Sequence, residues 1–447
     1  MRLPWKGVHE LLSHARVNVL PDCLVRIPEH LVEEAIASVP KGAGVTLYGR
    51  DPRHDVTFED HVPKLACMTM ATSVLDPYSR QKRAATNEDL AKLTRIADAL
   101  AHVAINGGLV TPQEVPGGVN DWYTWATCLK NTTKHITGGV VGARGVRDAV
   151  QMAAAAVGDE DLFLRRPFIS GWVLTLPPLG IDSASLEALV EMGRWKIPAV
   201  VSSGPILGVT SPVTIAGTVA QAHAEILGCL VVSQVAHPGA PFIYSSFARG
   251  VDMKTGNVSM ACPEFAILKV AMAQMGRFLG LPTRMPGMLR DAKILDAQAG
   301  FETGLVSALT SLAADVMDGM QLDADLVVDY PDLIFCNECM GALKRLARTL
   351  HVDRNTLALD VIESVGPGGT FLIHEHTVDN FRHELWQPGL MERRNWNRWV
   401  EDGAKAIDEV ALKRILTVLE SDPVPMLPAT AEAEIDAIVD NARSDLA

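Results

Sequence analysis

The sequence predicts an α/β fold, because short apolar segments alternate with longer amphipathic ones along most of the chain. Of its 447 residues 48% are hydrophobic and 21% charged, which is typical of a folded chain rather than a disordered one. The apolar segments are bounded by Gly and Pro, as strands are, and the segments between them have helical periodicity. Strands separated by helices pair in parallel.

Eight such units over roughly 300 residues indicate a closed (β/α)8 barrel, the TIM barrel, rather than an open sheet. An open doubly wound sheet is the alternative, but no Gly-x-Gly-x-x-Gly pattern follows the first predicted strand to support a dinucleotide site. The complete prediction is a TIM barrel over 84–384, preceded by an α+β cap over 1–83 and followed by a helical tail over 385–447.

The predicted cap begins with a helix that starts at Pro28 and ends near Ser38, since proline is favoured in the first helical turn. Two short alternating runs follow at 45–48 and 55–58. The sequence between them, Gly-Arg-Asp-Pro, is typical of a turn, so these runs predict a hairpin.

The predicted barrel begins with a helix capped by Thr86, with Asp89 three residues later, the spacing of a capping box. A later helix is predicted to begin at Ser211-Pro212. The tail contains two amphipathic segments. The eight predicted strands are 102–110, 134–141, 167–176, 198–207, 239–247, 283–288, 315–322 and 371–378.

Charge and cysteine content exclude several classes of protein. A formal net charge of −13 disfavours binding to nucleic acid. Seven cysteines, an odd number in apolar surroundings, predict reduced thiols and a cytoplasmic protein. The uncharged segments 197–224 and 226–248 are interrupted by Pro, Gly and Ser, which predicts buried barrel segments rather than membrane-spanning helices.

The chemistry of such a barrel lies where strands end and the following loops begin. His374-Glu375-His376 lies on the predicted eighth strand, where alternation places both histidines on one side. A catalytic zinc usually has a third protein ligand, so a polar pocket lining is favoured, and a metal pair or two structural histidines remain alternatives. Trp122-Tyr123-Thr124-Trp125 is more typical of a core than of a cation cage.

Cys336 and Cys339 form a single Cys-x-x-Cys, which lacks the second pair of a zinc ribbon, so two inert thiols are favoured. Glu338 between them either faces the pocket mouth or is a solvated surface acid. No bound metal is predicted.

Several motifs follow one another along nearly the whole chain. They are RDP at 50–52, NTTKHI at 131–136, GVTSPVTIAG at 208–217, AQAHAEILG at 220–228, HPGAP at 237–241, DAQAGFE at 296–302 and GTFLIHEHT at 369–377. In this order they resemble the trimethylamine methyltransferase family of corrinoid-dependent methyltransferases.

The resemblance implies a TIM barrel that moves a methyl group from a methylated amine to Co(I) of a corrinoid (cobalamin), carried by a partner protein or free. Some members of the family contain pyrrolysine late in the barrel. The matching region here is 318–325, and the matching position is Ala324 or a neighbour. The chain therefore resembles the non-pyrrolysine branch, which implies a quaternary amine such as glycine betaine as substrate.

A quaternary ammonium that loses a methyl cation leaves as a neutral amine, so its departure needs no protonation. Aromatic rings and one or two acids suffice to bind the cation. We therefore predict His374 and His376 as catalytic residues that orient the substrate. The predicted substrate-binding residues are Gln113, Glu114, Trp172, Tyr244 and Glu338.

Two alternative functions remain at this point, a zinc-dependent barrel methyltransferase and a non-catalytic accessory subunit of a methyltransferase system. The predicted partners are a methylated amine, a corrinoid-binding protein and further copies of the same chain. Neither nucleic acid nor a membrane is expected.

Overall fold

The computed structural model describes residues 1–58, 62–68, 71–421 and 427–446. Its centre is a closed barrel of eight parallel strands, as predicted, and each strand pairs with its neighbours in chain order. The barrel closes where Val316 of the last strand pairs with Lys64 of the first. The strands are β1 (Lys64–Cys67), β2 (Val103–Asn106), β3 (His135–Gly139), β4 (Ile169–Leu174), β5 (Ala199–Ser203), β6 (Phe242–Ser246), β7 (Thr283–Met288) and β8 (Val316–Gly319).

A principal helix follows each strand and packs on the outside of the barrel. The Thr86–Asp89 capping box at the start of the first of these helices is present as predicted. The helices are α1 (Asn87–Ala99), α2 (Asn120–Asn131), α3 (Gly142–Val157), α4 (Ser183–Arg194), α5 (Ile215–Ala236), α6 (Pro263–Phe278), α7 (Ala297–Ser311) and α8 (Tyr330–Ala347).

Helix α5 begins at Ile215, later than predicted from Ser211-Pro212. The Ser211 hydroxyl instead ties the preceding loop to the first turn of α5, 3.2 Å from the carbonyl of Ile206 and 2.7 Å from Thr218 Oγ1. Among the described helices α5 alone is long and apolar enough to cross a membrane. It packs between the barrel and its neighbouring helices, as the core helix of a barrel does.

The first and last predicted strands need correction. Strand β1 lies at Lys64–Cys67, within the predicted cap, and the predicted strands from 102–110 to 315–322 correspond to β2 through β8. The predicted eighth strand at 371–378 is wrong, because this segment leads into an exposed helix at Glu375–Glu384. With β1 already paired to both β8 and β2, the closed barrel has no free edge for a further strand.

The N-terminal residues close the bottom of the barrel. The predicted helix is present at Glu29–Ser38. The two predicted hairpin runs are joined by one antiparallel bridge, between Leu47 and Val56. Both side chains are buried against residues near the beginnings of the strands, including Val200 and Val316. These residues therefore fill the end of the barrel where the strands begin. The interior is accessible only from the carboxyl ends of the strands.

The tail contributes two helices that pack on the outside of the barrel. Ile407–Glu420 buries Ala411 and Ile415 in the core shared with α1 and α8. Ala429–Leu446 packs against α2 and α3. These helices cover the outside of the barrel. The second reaches its open end, where Arg144 Nη2 in the first turn of α3 donates to Asp445 Oδ2 at 2.9 Å.

Candidate active site

A cavity of about 550 Å³ opens at the carboxyl ends of the barrel strands, which is where barrel enzymes carry their chemistry. Its size suits a small molecule. The residues that line it lie within or just after six consecutive strands, β1 to β6, and they include Met68, Thr111, Gly139, Trp172, Gly204 and Phe247.

Asp121 supplies a negative charge on one side of this cavity. It stands in the first turn of α2, and its carboxylate lies over Gly139 at the end of β3. A side-chain carbon at position 139 would be 2.9 Å from Asp121 Oδ1, so only glycine leaves room for the acid. Burial raises the pKa of Asp121. Its carboxylate has no hydrogen bond or ion pair to any described residue, and is therefore available to a cation.

Arg249 supplies a positive charge elsewhere around the mouth. It follows β6, and its Nη1 donates to the carbonyls of Gly204 at 3.2 Å and Phe247 at 3.3 Å. Its guanidinium lies 5.2 Å from the centre of the Phe247 ring. Its Nε is buried and has no partner within the described chain. Because β4 and β5 separate β3 from β6, Asp121 and Arg249 are on different sides of the cavity.

Trp172, which lines the cavity, packs against a bonded unit built around Arg284. This buried side chain donates from Nε to Asp318 Oδ2 at 2.8 Å and from Nη1 to Thr137 Oγ1 at 3.2 Å. Its guanidinium carbon lies 4.5 Å from the centre of the Trp172 ring, so one face of the indole is already covered by a cation. Burial raises the pKa of Asp318, and Arg284 opposes that rise. The unit fixes the position of Trp172 before any substrate binds.

The loop after β8 has an unusual backbone. Asp323, Ala324 and Asp325 have φ values of +54°, +52° and +76°, a left-handed run of non-glycine residues. Such conformations persist where the surrounding structure requires them, often at functional sites. Ala324 packs into the apolar cluster that includes Met68, Trp172 and Phe247, all of which line the cavity. Ala324, which is the position matched to pyrrolysine by resemblance or a neighbour of it, therefore packs with side chains that line the cavity.

Of the predicted substrate-binding residues, Trp172 lines the cavity and the others do not. Tyr244 is buried on the outer side of β6, where its hydroxyl lies 2.9 Å from His223 Nδ1 of α5. Glu338 is buried in α8, where its Oε1 accepts the backbone N–H of Leu390 at 2.8 Å. Neither alternative for Glu338, the pocket mouth or the solvated surface, is found, because the acid holds the start of the tail.

Gln113 and Glu114 lie in the loop between β2 and α2, and both are exposed. Glu114 Oε1 accepts the backbone N–H of Asn87 at 2.6 Å, which satisfies a free donor at the start of α1. Gln113 Nε2 donates to the carbonyl of Thr111 at 2.8 Å. Thr111 lines the cavity, but the two predicted side chains are used for loop structure beside it.

His374 and His376 lie outside the cavity. His374 is the N-cap of the exposed helix Glu375–Glu384, and its Nδ1 accepts the backbone N–H of His376 at 3.1 Å. The predicted location of both histidines in the pocket depended on a strand at 371–378. Because this segment is not a strand, that location is wrong. In their place the cavity offers Asp121 and Arg249.

Sequence reasoning had signals for both of these residues. Asp121 directly precedes the aromatic cluster, whose Trp122 and Trp125 are core residues as favoured. Arg249 comes three residues after β6. Both stand just beyond strands, the places that the barrel rule selects.

The cysteines and acids show no metal arrangement in the described ranges, since no group of three or more His, Cys, Asp or Glu is placed to hold an ion. Cys336 and Cys339 are free and buried in α8. Burial raises the pKa of Cys339 to about 12, which keeps this thiol protonated and unreactive.

Comparison with known proteins agrees with this architecture. The family model described as trimethylamine methyltransferase (MTTB) matches residues 7–447. The chain is 32% identical over 424 residues to trimethylamine methyltransferase MttB of Desulfitobacterium hafniense, covering 94% of this chain and 85% of that protein. It is 29% identical over 420 residues to a glycine betaine methyltransferase of the same species, covering 93% and 87%.

The solved structure of the Methanosarcina barkeri monomethylamine methyltransferase (MtmB) superposes with a TM-score of 0.51 at 12% identity. The match covers 99% of this chain and 86% of that one, and it supports the fold. The family match over almost all of the chain, together with a barrel whose open end holds a small-molecule cavity, shows that this chain is a methyltransferase of the trimethylamine methyltransferase family.

Proposed function

We propose that the chain transfers a methyl group from a quaternary ammonium compound that also bears a carboxylate, such as glycine betaine, to Co(I) of a corrinoid on a separate protein. The observation that carries this proposal is the pair of opposite charges, Asp121 and Arg249, on different sides of one small cavity. A zwitterion presents the complementary pair. The similarity to a glycine betaine methyltransferase supports the same substrate class.

The ammonium end of the substrate would lie near Asp121 and Trp172. The Asp121 carboxylate is largely buried and unpaired among the described residues, so a cation that replaces water beside it gains electrostatic energy. The Trp172 face that Arg284 leaves uncovered offers a second attraction, because aromatic faces bind quaternary ammonium groups. Both groups select a positive charge without donating a proton.

The carboxylate end would lie against Arg249. Two backbone carbonyls hold Nη1 of this guanidinium in place, and the buried Nε–H has no partner among the described residues. Guanidinium groups bind carboxylates through charge-assisted hydrogen bonds, often two in parallel. Because Arg249 is fixed before binding, little side-chain entropy is lost when the substrate enters.

The reaction needs little more from the protein than position and exclusion of water. A quaternary amine departs as a neutral tertiary amine, which is why the cavity requires no acid to protonate it. Binding the substrate at both charged ends orients one N-methyl group toward the mouth of the cavity. The methyl group and the acceptor then meet in a reactive geometry. A corrinoid supplies the nucleophilic cobalt that accepts this methyl group.

The size and rim of the cavity suit a corrinoid that approaches from outside its mouth. Its volume of about 550 Å³ suits a small amine but not a whole corrin ring, so the macrocycle would have to sit outside. Leu174 and Leu176 line the cavity and are 45% and 57% exposed. These rim side chains would face an apolar macrocycle presented by a partner protein.

The proposal is tested with the purified chain and free Co(I) cobalamin, by following formation of methylcobalamin spectroscopically. Glycine betaine should be demethylated far faster than choline or trimethylamine, which lack the carboxylate. Arg249→Gln should lower kcat/KM for glycine betaine by roughly 10- to 100-fold, the effect of a charge-assisted hydrogen bond worth about 1.5–3 kcal/mol.

The same variant should change the slow turnover of choline little, and Arg165→Gln, on an exposed helix outside the barrel, should change neither. An equal loss on glycine betaine and choline would contradict the role of Arg249. Equal turnover of trimethylamine and glycine betaine by the unmodified protein would overturn the proposed substrate class.

A further inference from the structure

Two segments with the pattern Ala-Gln-Ala-x-x-Glu stand near the beginnings of α5 and α7, at 220–225 and 297–302. In each, the glutamine Nε2 donates to the glutamate Oε1 four residues later, at 3.1 Å in α5 and 2.7 Å in α7. A spacing of four residues places both side chains on one face of the helix. These helices begin beside the carboxyl ends of the strands. Gln221 and Glu225 are here called the α5 pair.

Glu225 is a fully buried acceptor that joins two parts of the cavity wall. Its Oε2 accepts the hydroxyl of Thr175 at 2.6 Å and that of Ser203 at 2.8 Å. Its Oε1 accepts the backbone N–H of Leu179 at 2.8 Å and the side-chain amide of Gln221. An ionised carboxylate has about four acceptor sites, and four donors surround this one. One side chain therefore holds the loop after β4 and the end of β5 together.

The loop after β5 in turn supports Arg249. The backbone N–H of Arg249 donates to the carbonyl of Pro205 at 3.0 Å, and its carbonyl accepts the N–H of Leu207 at 3.0 Å. Gln221 holds the same loop from the side of the helix, since its Nε2 donates to the carbonyl of Thr210 at 2.8 Å. The position of the Arg249 guanidinium therefore depends on a loop that the α5 pair fixes.

The α5 pair thus connects the two sides of the cavity. One of its loops follows β4, the strand that carries Trp172, and the other supports Arg249. Thr175 and Thr210, one from each loop, line the cavity. A displacement of either loop would change the separation between the side that holds Trp172 and the side that holds Arg249.

We propose that the α5 pair determines the length of the zwitterion that the cavity accepts, with Glu225 as the positioning residue. This inference rests on the proposed function, because it needs a substrate held at both charged ends. Glycine betaine has one methylene group between its charges, and 4-(trimethylammonio)butanoate has two more. With the carboxylate at Arg249, the longer molecule places its N-methyl groups elsewhere.

A rigid wall converts this difference in length into a difference in rate. A misplacement of ~1 Å can cost on the order of 100-fold in rate, because the methyl group and its acceptor no longer meet in a reactive geometry. A wall that has lost the bonds of Glu225 can adjust to either molecule. Selectivity for length should therefore depend on Glu225, although its carboxylate lies behind the wall and does not contact the substrate.

The test compares Glu225→Gln with the unmodified full chain on both zwitterions, with free Co(I) cobalamin as the methyl acceptor. Glutamine has nearly the same size, but its Nε2 cannot accept a hydrogen bond, so the donors that face it lose their partner. The unmodified protein should favour glycine betaine, and the ratio of the two kcat/KM values should fall roughly tenfold in the variant. Because both rates come from one sample, partial unfolding does not change this ratio.

Gln221→Leu provides a second variant in case Glu225→Gln does not fold. It removes the bond to the Thr210 carbonyl and retains Glu225, so the ratio should fall in the same direction by a smaller factor. Glu191→Gln is the matched control. Glu191 is also buried, and it accepts Trp195 Nε1 at 2.9 Å at the end of α4 away from the cavity. This control should leave the ratio unchanged.

Hydrogen exchange measures the wall itself without any substrate. The backbone amide of Leu179 should exchange roughly tenfold faster in Glu225→Gln than in the unmodified protein, and at the unmodified rate in Glu191→Gln. Faster exchange at Leu179 with an unchanged ratio of kcat/KM would overturn the inference and leave Glu225 a purely structural residue. An equal fall of the ratio in Glu191→Gln would overturn it as well. Failure of the unmodified protein to demethylate either zwitterion would instead refute the proposed function, before any variant is compared.

Discussion

The barrel and residues 348–389, the arm between α8 and the tail, are neighbours in the chain. They differ in how far their side chains are buried and their backbone is paired. In the barrel the buried Arg284 and Asp318 form an ion pair, and every strand has two partners. In the arm no residue is buried, although residues 371–373, Phe-Leu-Ile, are as apolar as any strand. The difference teaches that apolar sequence is not sufficient for a core position. A segment also needs free backbone partners, and the closed barrel has none to offer.

The largest expected effect is in the barrel interior, with Asp318→Ala. This change leaves the Arg284 guanidinium buried without its partner, and such a loss destabilises a protein by about 3–5 kcal/mol. The measurement is the free energy of unfolding in urea. Asp379→Ala, the same substitution at an exposed position in the arm, should change that free energy by less than about 0.5 kcal/mol. Equal effects at the two sites would remove the contrast between the regions.

A smaller effect is expected at the cavity wall, with Asp121→Asn. Loss of the charge should raise KM for glycine betaine roughly 10-fold or more, with a smaller change in kcat, because the carboxylate binds the cation in ground state and transition state alike. Asparagine retains the shape over Gly139, so the melting temperature should stay within a few degrees.

The same residue gives a pH dependence with a definite sign. Burial raises the pKa of Asp121, and only the ionised form attracts an ammonium group. Affinity for glycine betaine should therefore decline as pH falls through the raised pKa, beginning at a higher pH than for an ordinary aspartate, whose pKa is about 3.9. The ratio of KM between Asp121→Asn and the unmodified protein should approach one at low pH. A ratio that is constant with pH would contradict this account.

The smallest effect is expected in the arm at His376, which lies on an exposed helix away from the cavity. His376→Ala should leave kcat and KM for methyl transfer to free cobalamin unchanged within error, and change the free energy of unfolding by no more than about 0.5 kcal/mol. A tenfold loss of activity with an unaltered melting temperature would restore the predicted catalytic role of this histidine and place the arm at the active site.

Much of the barrel followed from local patterns, and the failures have one cause. The predicted strands at 102–110 through 315–322 coincide with β2 through β8 because each is a buried, mainly apolar run between two helices. Strand β1 precedes the regular alternation of strands and helices that begins at Thr86, and its position is set by pairing with β8 and β2. Such pairing joins residues about 250 positions apart, which no local window contains.

The candidate site divides in the same way. Sequence placed Trp172 at a strand end, where it lines the cavity, but it also selected Tyr244, which alternation turned toward the helices. The direction of a side chain in a barrel depends on the register of its strand, and a shift of one residue exchanges inside for outside. Asp121 and Arg249 come together only through the order of the strands around the barrel, so their opposed charges were not visible in the sequence.

By itself the sequence determined the alternation of strands and helices, the capping of α1 and the resemblance to a methyltransferase family. Each of these depends on residues that are close together in the sequence. Tertiary structure alone decided which four-residue run closes the barrel, which charges face the cavity and that residues 348–389 stay outside the core. The physical reason is closure. Once β8 pairs with β1, the backbone of the barrel is satisfied and its open end is defined. Apolar segments that come later in the chain cannot join the barrel sheet, so they pack on the outside of the barrel, as Ile407–Glu420 does, or remain exposed, as residues 371–373 do.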